Sequence, residues 1–508
     1  MKNLFEITVF LLVLISFTTN AQNQKPNFLF IITDDQTNES IQALGNTEIE
    51  TPNLDKLVSE GVTFTHAFNQ GSWSGAVCVA SRSMLITGQT VFRVKKNKAY
   101  LPSGSEKDKN KIEVALWPEV MSKNGYKTFV TGKWHNSGYA LLKGFDTGNS
   151  VSIKGYLETY DANGSSKIAY NRTDNKDWQP WNKTLKGQWT PIVKNIIYNE
   201  KNVKKLSALS NVNQHSTAHY TDKAINYLMN DAKKSNSPFF MYVAFNAPHD
   251  PRQAPKEFVD KYPSASIKIP ENYLEEHPFD QGERYTLRDE KIMPFPRTKK
   301  GVQLHRSEYY AAITYIDSQL GRILEALENS GKAKNTYVIF TSDHGLAVGQ
   351  HGLMGKQNQY DHSIRMPLII KGPNLEKGKQ VNTKVYMQSI YATTCDLAAI
   401  ETPKSVEFKS FNNLLKGYEY TKEEGEEYVF GSYKKFQRMI RSDKFKLIVY
   451  PKANKIQLFD LIKDPKEIHN LASNRKYKKI KKELYKQLQL KQEELDDDLD
   501  LTLIIKNN

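Results

Sequence analysis

The chain has 508 residues, of which 39% are hydrophobic and 25% charged, an ordinary balance for a soluble globular protein with one large core and a smaller appended unit. Its net charge of +15 favours polyanionic partners, but no zinc-ligand spacing, helix-turn-helix or aromatic RNA-binding signature points to nucleic acid. Only two cysteines, Cys78 and Cys395, are present, which excludes a disulfide scaffold.

Residues 1–21 read as a secretory signal, with Lys2 as the charged start, residues 7–17 as the apolar core and Asn20-Ala21 as the cleavage site. The run is too short to span a bilayer comfortably, which leaves an N-terminal membrane anchor as the lesser alternative. No later stretch replaces it, so no stable membrane insertion is expected. The predicted location is the periplasm or the exterior. From residue 22 to about 420, strand and helix signals alternate, predicting an α/β unit with a mainly parallel sheet. Residues 27–33 (NFLFIIT) form a continuous apolar run, as for a strand covered on both faces. Thr51-Pro52 opens a helix, with Thr as N-cap. A helix ends at Gly125 and a strand follows over 128–131. Residues 239–245, 336–341 and 367–370 read as further strands, and 307–329 as a long amphipathic helix.

Two segments interrupt this rhythm. Residues 137–215 are polar and carry Trp178, Trp181 and Trp189; residues 262–300 are rich in proline and charge. Both read as insertions above the sheet, where binding loops sit, and the tryptophans as sugar-stacking faces or as packing. Cys395, in the apolar stretch 391–400, reads as a buried small hydrophobe. Residues 421–508 form a C-terminal unit with short antiparallel strands at 428–431, 437–440, 445–450 and 457–460. A Lys-rich helix follows, with Tyr477, Ile480, Leu484 and Leu488 on one stripe. The acidic run 493–500 reads as a solvated helix end.

Asp34-Asp35 directly follows the first apolar strand, and Asp343-His344 repeats the arrangement after TYVIFTS. In open α/β sheets ligands gather at the carboxyl ends of strands, and adjacent carboxylates repel unless a cation or proton neutralises them. Three carboxylates and one histidine at two strand ends predict a metal site. Oxygen-dominated ligation suits Ca²⁺ or Mg²⁺ rather than Zn²⁺. Residues 78–88 (CVASRSMLITG) place Cys78 at a helix start, where free N–H groups and the positive dipole end suit an oxyanion. Arg82, one turn on, can hold the geometry with its fork of donors.

The run from Cys78 to Gly88 resembles the signature of the type I, formylglycine-dependent sulfatases, C-x-P/A-S-R followed by an apolar run and T-G, with Ala80 in place of the commoner proline. Gly132-Lys133-Trp134-His135 is similar to that family's G-K-x-H element and residues 247–251 (APHDP) to its A-P-H-x-P element. Residues 349–356 (GQHGLMGK) resemble its G-x-H-G…G-K element, and 458–465 its closing hairpin. Residues 360–367 (YDHSIRMP) fit the same pattern, with Arg365 reading as structural. The resemblance implies the alkaline-phosphatase-like fold, with a large, mixed, mainly parallel sheet flanked by helices and a smaller C-terminal antiparallel sheet plus helix. It implies that an activating enzyme, a formylglycine-generating or sulfatase-maturating enzyme, oxidises Cys78 to formylglycine. One Ca²⁺, held by Asp34, Asp35, residue 78, Asp343 and His344, then orients the hydrated aldehyde for attack on sulfur. Lys133 and Lys356 balance sulfuryl charge, His249 gives a proton to the leaving oxygen and His135 accepts one as sulfate departs.

The expected substrate is a sulfated polysaccharide or its oligosaccharides; a marine algal polymer such as ulvan fits by analogy alone. Two rivals stand beside this reading: a phosphonate or phosphodiester hydrolase of the same superfamily, and an inactive protein that only binds sulfated glycan.

Overall fold

The first strand, β1 (Asn27–Asp34), is buried along its whole length. Its alternating side chains feed two separate cores: Phe28, Phe30 and Ile32 on one face, Leu29 and Ile31 on the other. The computed structural model describes residues 25–96, 113–153, 172–174, 178–418, 424–502 and 504. The secretory signal read at 1–21, the stretch 154–171 of the first insertion and the junction near 420 lie outside them.

Seven further strands complete the central sheet: β2 (Val62–Phe64), β3 (Lys127–Lys133), β4 (Thr147–Ser152), β5 (Phe239–Pro248), β6 (Thr336–Ser342), β7 (Leu368–Lys371) and β8 (Lys379–Val381). Their order is β8-β2-β7-β6-β1-β5-β3-β4. β1 pairs in parallel with β5 and β6, β5 with β3, and β3 with β4, whereas β7 is antiparallel to both β6 and β2. The mixed, mainly parallel sheet expected from the sequence is therefore present.

Helices cover both faces. On one side pack α1 (Pro52–Glu60), α2 (Ser216–Asn226) and α3 (Lys299–Asn329), through Leu54 and Leu57, Tyr220 and Ala224, and Ile316, Leu320 and Ile323. On the other side lie Trp117–Lys123 and Ile390–Leu397, the latter carrying the buried, free Cys395. α3 starts eight residues before the expected 307, because Thr298 caps it by accepting from the Gly301 N–H at 3.1 Å. Thr51 occupies the N-cap position of α1, as expected, but its hydroxyl donates to Asp55 instead of accepting from the first turn. The cap comes from α3, where Asp317 accepts from the Asn53 and Leu54 N–H groups.

The first insertion is not all loop: β4, inside the expected 137–215, is the edge strand of the central sheet. Trp178 and Trp189 are 1% and 6% exposed and pin this segment to the body.

A second sheet is built from β9 (Val429–Tyr433), β10 (Gln437–Arg441), β11 (Phe445–Tyr450) and β12 (Lys455–Asp460), an antiparallel meander. Its free edge at β9 is completed by a short parallel strand from far upstream, Gly71–Ser72. A side chain at Gly71 would bring its Cβ within 2.0 Å of the Ser432 carbonyl oxygen, so only glycine permits this approach. Helix α4 (Lys478–Glu494) covers the sheet through Leu484 and Leu488. The acidic run after it is not simply solvated. Asp497 is buried against Arg438, with Nη2 donating to Oδ1 at 2.7 Å and Nε to Oδ2 at 2.5 Å. Among the described residues no helix is long and apolar enough to cross a membrane.

Candidate active site

Strands β6, β1, β5 and β3 are adjacent, so their carboxyl ends stand side by side, where an open α/β sheet forms its crevice. β1 delivers Asp34 and Asp35, β6 delivers Asp343 and His344, β5 delivers His249, and β3 delivers Lys133 and His135. The backbone is unusual here: Asp35 and His135 have φ of 73° and 56°, a left-handed conformation that non-glycine residues adopt rarely and mostly at functional sites. The Asp35 N–H donates to Asp343 Oδ1 at 3.2 Å and the Gln36 N–H to Ser342 Oγ at 2.8 Å, which stitches β1 to β6 beyond the ladder.

The fifth contributor is the buried helix Val77–Thr87, which ends at Gly88 in the left-handed conformation. Cys78 lies in its first turn and is 2% exposed. Its thiol donates to Asp34 Oδ1 at 3.1 Å and lies 3.8 Å from Asp35 Oδ1. One turn on, Arg82 Nε donates to Asp343 Oδ2 at 2.7 Å and Nη1 to the Lys133 carbonyl at 2.7 Å. Arg82 thus ties the helix to two strand ends at once. Lys133 Nζ pairs with Asp34. Lys356, from the loop after β6, donates to both oxygens of Asp35 at 2.6 and 2.7 Å and to Cys78 Sγ at 2.9 Å.

Ligand atoms of Asp34, Asp35, Cys78 and His249 lie within 4.8 Å of one another. Asp343 stands beside this group, held by Arg82. His344 does not join it: its Nδ1 is bonded to the Gly345 carbonyl at 2.8 Å. The electrostatics favour an added cation. Burial and repulsion from Asp34 outweigh Lys356 and push Asp35 up to about 8. Burial and Asp34 raise Asp343 against Arg82. Asp34 is also penalised by burial, but Lys133, His249 and Lys356 bring it below the usual carboxylate range. Burial thus leaves Asp35 and Asp343 raised despite their Lys356 and Arg82 partners, and a hard divalent ion with oxygen ligands fits the donor set. Burial and Asp34 likewise raise the Cys78 thiol well above its ordinary value, so Cys78 is not an activated thiolate as it stands.

These groups face a cavity of about 410 Å³ lined by Cys78, Lys133, His135, His249, Lys356 and Gln357 on its floor, within the range of small-molecule sites. Burial lowers His249 to about 4 and, with Lys133, lowers His135 further. His249 Nδ1 is bonded to the Asp250 carbonyl at 2.7 Å and its Nε2 receives Arg288 Nη2 at 3.1 Å. The imidazole is therefore neutral with its proton on Nδ1. His362 lies apart, buried against Tyr360 and His351, and Arg365 Nε bonds the Thr65 carbonyl.

The cavity wall comes from the second insertion, through Glu283, Thr286, Leu287, Arg288 and Asp289, and from Lys434 in the β9–β10 hairpin. None of the described residues of 137–215 lines it; of the two roles expected for the tryptophans, Trp178 and Trp189 take packing, while Trp181 is half-buried with Lys256 Nζ over its ring. Arg288, Asp289 and Lys434 were missed in the sequence because they lie in irregular backbone with no periodic signal. Only the proline and charge of 262–300 marked the segment.

A family model described as Sulfatase matches residues 26–400, and one described as N-sulphoglucosamine sulphohydrolase, C-terminal, matches 349–494. An arylsulfatase of Clostridium perfringens is 30% identical over 93% of this chain and 96% of its own length. An ulvan-active sulfatase of Formosa agariphila is 26% identical over 93% of this chain and 82% of its own length. The solved structure of BT4656 in complex with its substrate D-glucosamine-2-N,6-O-disulfate superposes with a TM-score of 0.70 at 22% identity, covering 94% of this chain and 99% of that one.

Proposed function

Because this chain belongs to the sulfatase family and is a sulfuric ester hydrolase, we propose that it is exported and removes sulfate from a sulfated polysaccharide or its oligosaccharides, with formylglycine at position 78 and one Ca²⁺. The observation that carries this reading is the position of Cys78. It sits at a helix N-terminus, between the Asp34 carboxylate and the Lys356 ammonium, on the floor of the cavity. Asp34, Asp35, Asp343 and residue 78 would hold the cation. When present, the cation supplies Lewis acidity and the formylglycine hydrate the attacking oxygen.

The remaining roles fall to the chain's own side chains. Lys133 and Lys356 place two ammonium groups where sulfuryl charge develops, inside a buried site where such charges act strongly. Arg82 fixes Asp343 and the end of β3. His249 is oriented by its Nδ1 bond to the Asp250 carbonyl; it can give a proton to the leaving oxygen from Nε2 only after Nε2, which accepts from Arg288, has itself taken one up, and His135 lies on the same floor to accept a proton as sulfate is released. The polymer substrate is supported by the +15 charge and by the ulvan-active relative, and export by the signal-like residues 1–21.

The test combines two measurements. Mass spectrometry of the residue-78 peptide should show an aldehyde in place of the thiol. Desulfation of a panel of defined sulfated oligosaccharides should identify the sugar, with turnover of an aryl sulfate exceeding that of an aryl phosphate diester. Full activity with unmodified Cys78, or preference for the phosphate diester, contradicts the reading.

A further inference from the structure

Between residues 475 and 486 the chain carries seven cations and one acid, Glu483. Six of the cations, Arg475, Lys476, Lys478, Lys479, Lys482 and Lys486, are exposed on the outer side of α4 and the turn before it. None of the six forms an ion pair among the described residues; Lys481 is turned away and donates to the Ala472 carbonyl. Glu483 offers no relief to them, being bonded to Gln487.

This arrangement opposes what a helix prefers in two ways. The positive end of the dipole favours acids in the first turn, yet the first turn of α4 has none and holds Lys478, Lys479 and Lys481. Neighbours four apart on one face stabilise a helix when opposite in charge and destabilise it by about 0.2–0.5 kcal/mol when alike. Within α4, Lys478–Lys482 and Lys482–Lys486 are like pairs, and Lys479–Glu483 is the one opposite pair at this spacing among these residues. A local rule broken repeatedly with no compensating contact inside the fold marks a surface shaped for something outside it. The helix is held in place by Leu484 and Leu488 beneath, so the charges form a fixed row. At 1.5 Å per residue the row spans roughly 16 Å.

We propose that this face of α4 is a docking surface for a sulfated polysaccharide, separate from the catalytic cavity. It rests on the polymer substrate proposed above: a linear polyanion with regularly spaced sulfates complements a fixed row of ammonium groups and the positive end of the helix. Docking there raises the effective concentration of the same chain at the cavity.

The test uses the full-length protein and a variant with Arg475, Lys479, Lys482 and Lys486 each changed to Gln. Dextran sulfate is the binding probe, with anionic phospholipid vesicles and duplex DNA as competitors, and 4-nitrophenyl sulfate the small substrate. The variant should bind dextran sulfate at least roughly tenfold more weakly at low salt, with the salt dependence of log K reduced by about one per cation removed. Its kcat/KM on 4-nitrophenyl sulfate should be unchanged, and its Tm equal or higher, since like-charge repulsion is relieved. Dextran sulfate binding equal to that of the unaltered protein overturns the proposal, as does a preference for vesicles or DNA over dextran sulfate. If neither protein hydrolyses any sulfate ester while the difference in binding persists, the catalytic reading fails and the docking surface stands.

Discussion

Lys356 Nζ lies 2.9 Å from Cys78 Sγ and 2.6 Å from Asp35 Oδ1, so a single ammonium group neutralises one carboxylate and touches the residue expected to react. Burial disfavours its charge, but Asp35 and the other anions hold it well above the usual lysine range. Lys356→Ala should lower kcat on 4-nitrophenyl sulfate by about 10²–10³-fold, the scale of removing one preorganised donor. KM should change much less. A loss confined to KM would assign Lys356 to substrate binding alone.

Three buried carboxylates against the site's cations predict a stability effect of metal that needs no turnover. Adding Ca²⁺ to protein stripped with a chelator should raise Tm in a concentration-dependent way, because the ion binds the folded state. Asp343→Asn should abolish that rise. Mg²⁺ giving a larger rise at equal concentration would reassign the metal.

Each buried histidine should make the fold less stable in acid, against the opposite trend of Asp35 and Glu467, which burial raises to about 8 and about 7. Burial holds His215 and His277 at about 4, below the ~6.5 of an unfolded histidine. As pH falls from 6.5 towards 4, the unfolded chain takes up these protons and the folded one does not, so stability is complete above 6.5 and lost across that window. Each histidine should remove up to ~3 kcal/mol. Urea midpoints at pH 7.5, 5.5 and 4.5 measure the slope, and His277→Gln should flatten it.

Trp178 decides the role of the first insertion. With 1% exposure and no place in the cavity wall, Trp178→Ala should cost about 3–5 kcal/mol of stability. The ratio of kcat/KM on a sulfated oligosaccharide to that on an aryl sulfate should stay constant. A selective fall on the oligosaccharide would return the segment to substrate binding.

The catalytic floor was legible in the sequence because its members sit at the ends of apolar runs or in tight motifs. Asp34, Lys133, His249 and Asp343 each follow a strand whose burial is written in its residues, and strand ends must converge in a parallel sheet. What was not legible depends on long-range packing. Arg288 reaches His249 from 39 residues away on backbone without periodicity. Asp497 looked like part of a solvated acidic tail because nothing local announces that Arg438 lies buried beneath it. Thr51 is the N-cap residue of α1 as its Thr-Pro pair announces, but the side chain that accepts from the first turn is Asp317 of α3.

The pairing of Gly71–Ser72 with β9 also sets a timetable. The short strand leads directly into the helix that carries Cys78, yet its partner Ser432 is about 360 residues further along. At a synthesis rate of roughly 5–20 residues per second, the segment around Cys78 waits about 20–70 seconds before the strand that fixes it exists. In the folded chain the Cys78 side chain is 2% exposed, at the floor of the cavity. If position 78 is converted to formylglycine as proposed, that interval is the time in which an enzyme needing the segment extended would have it available.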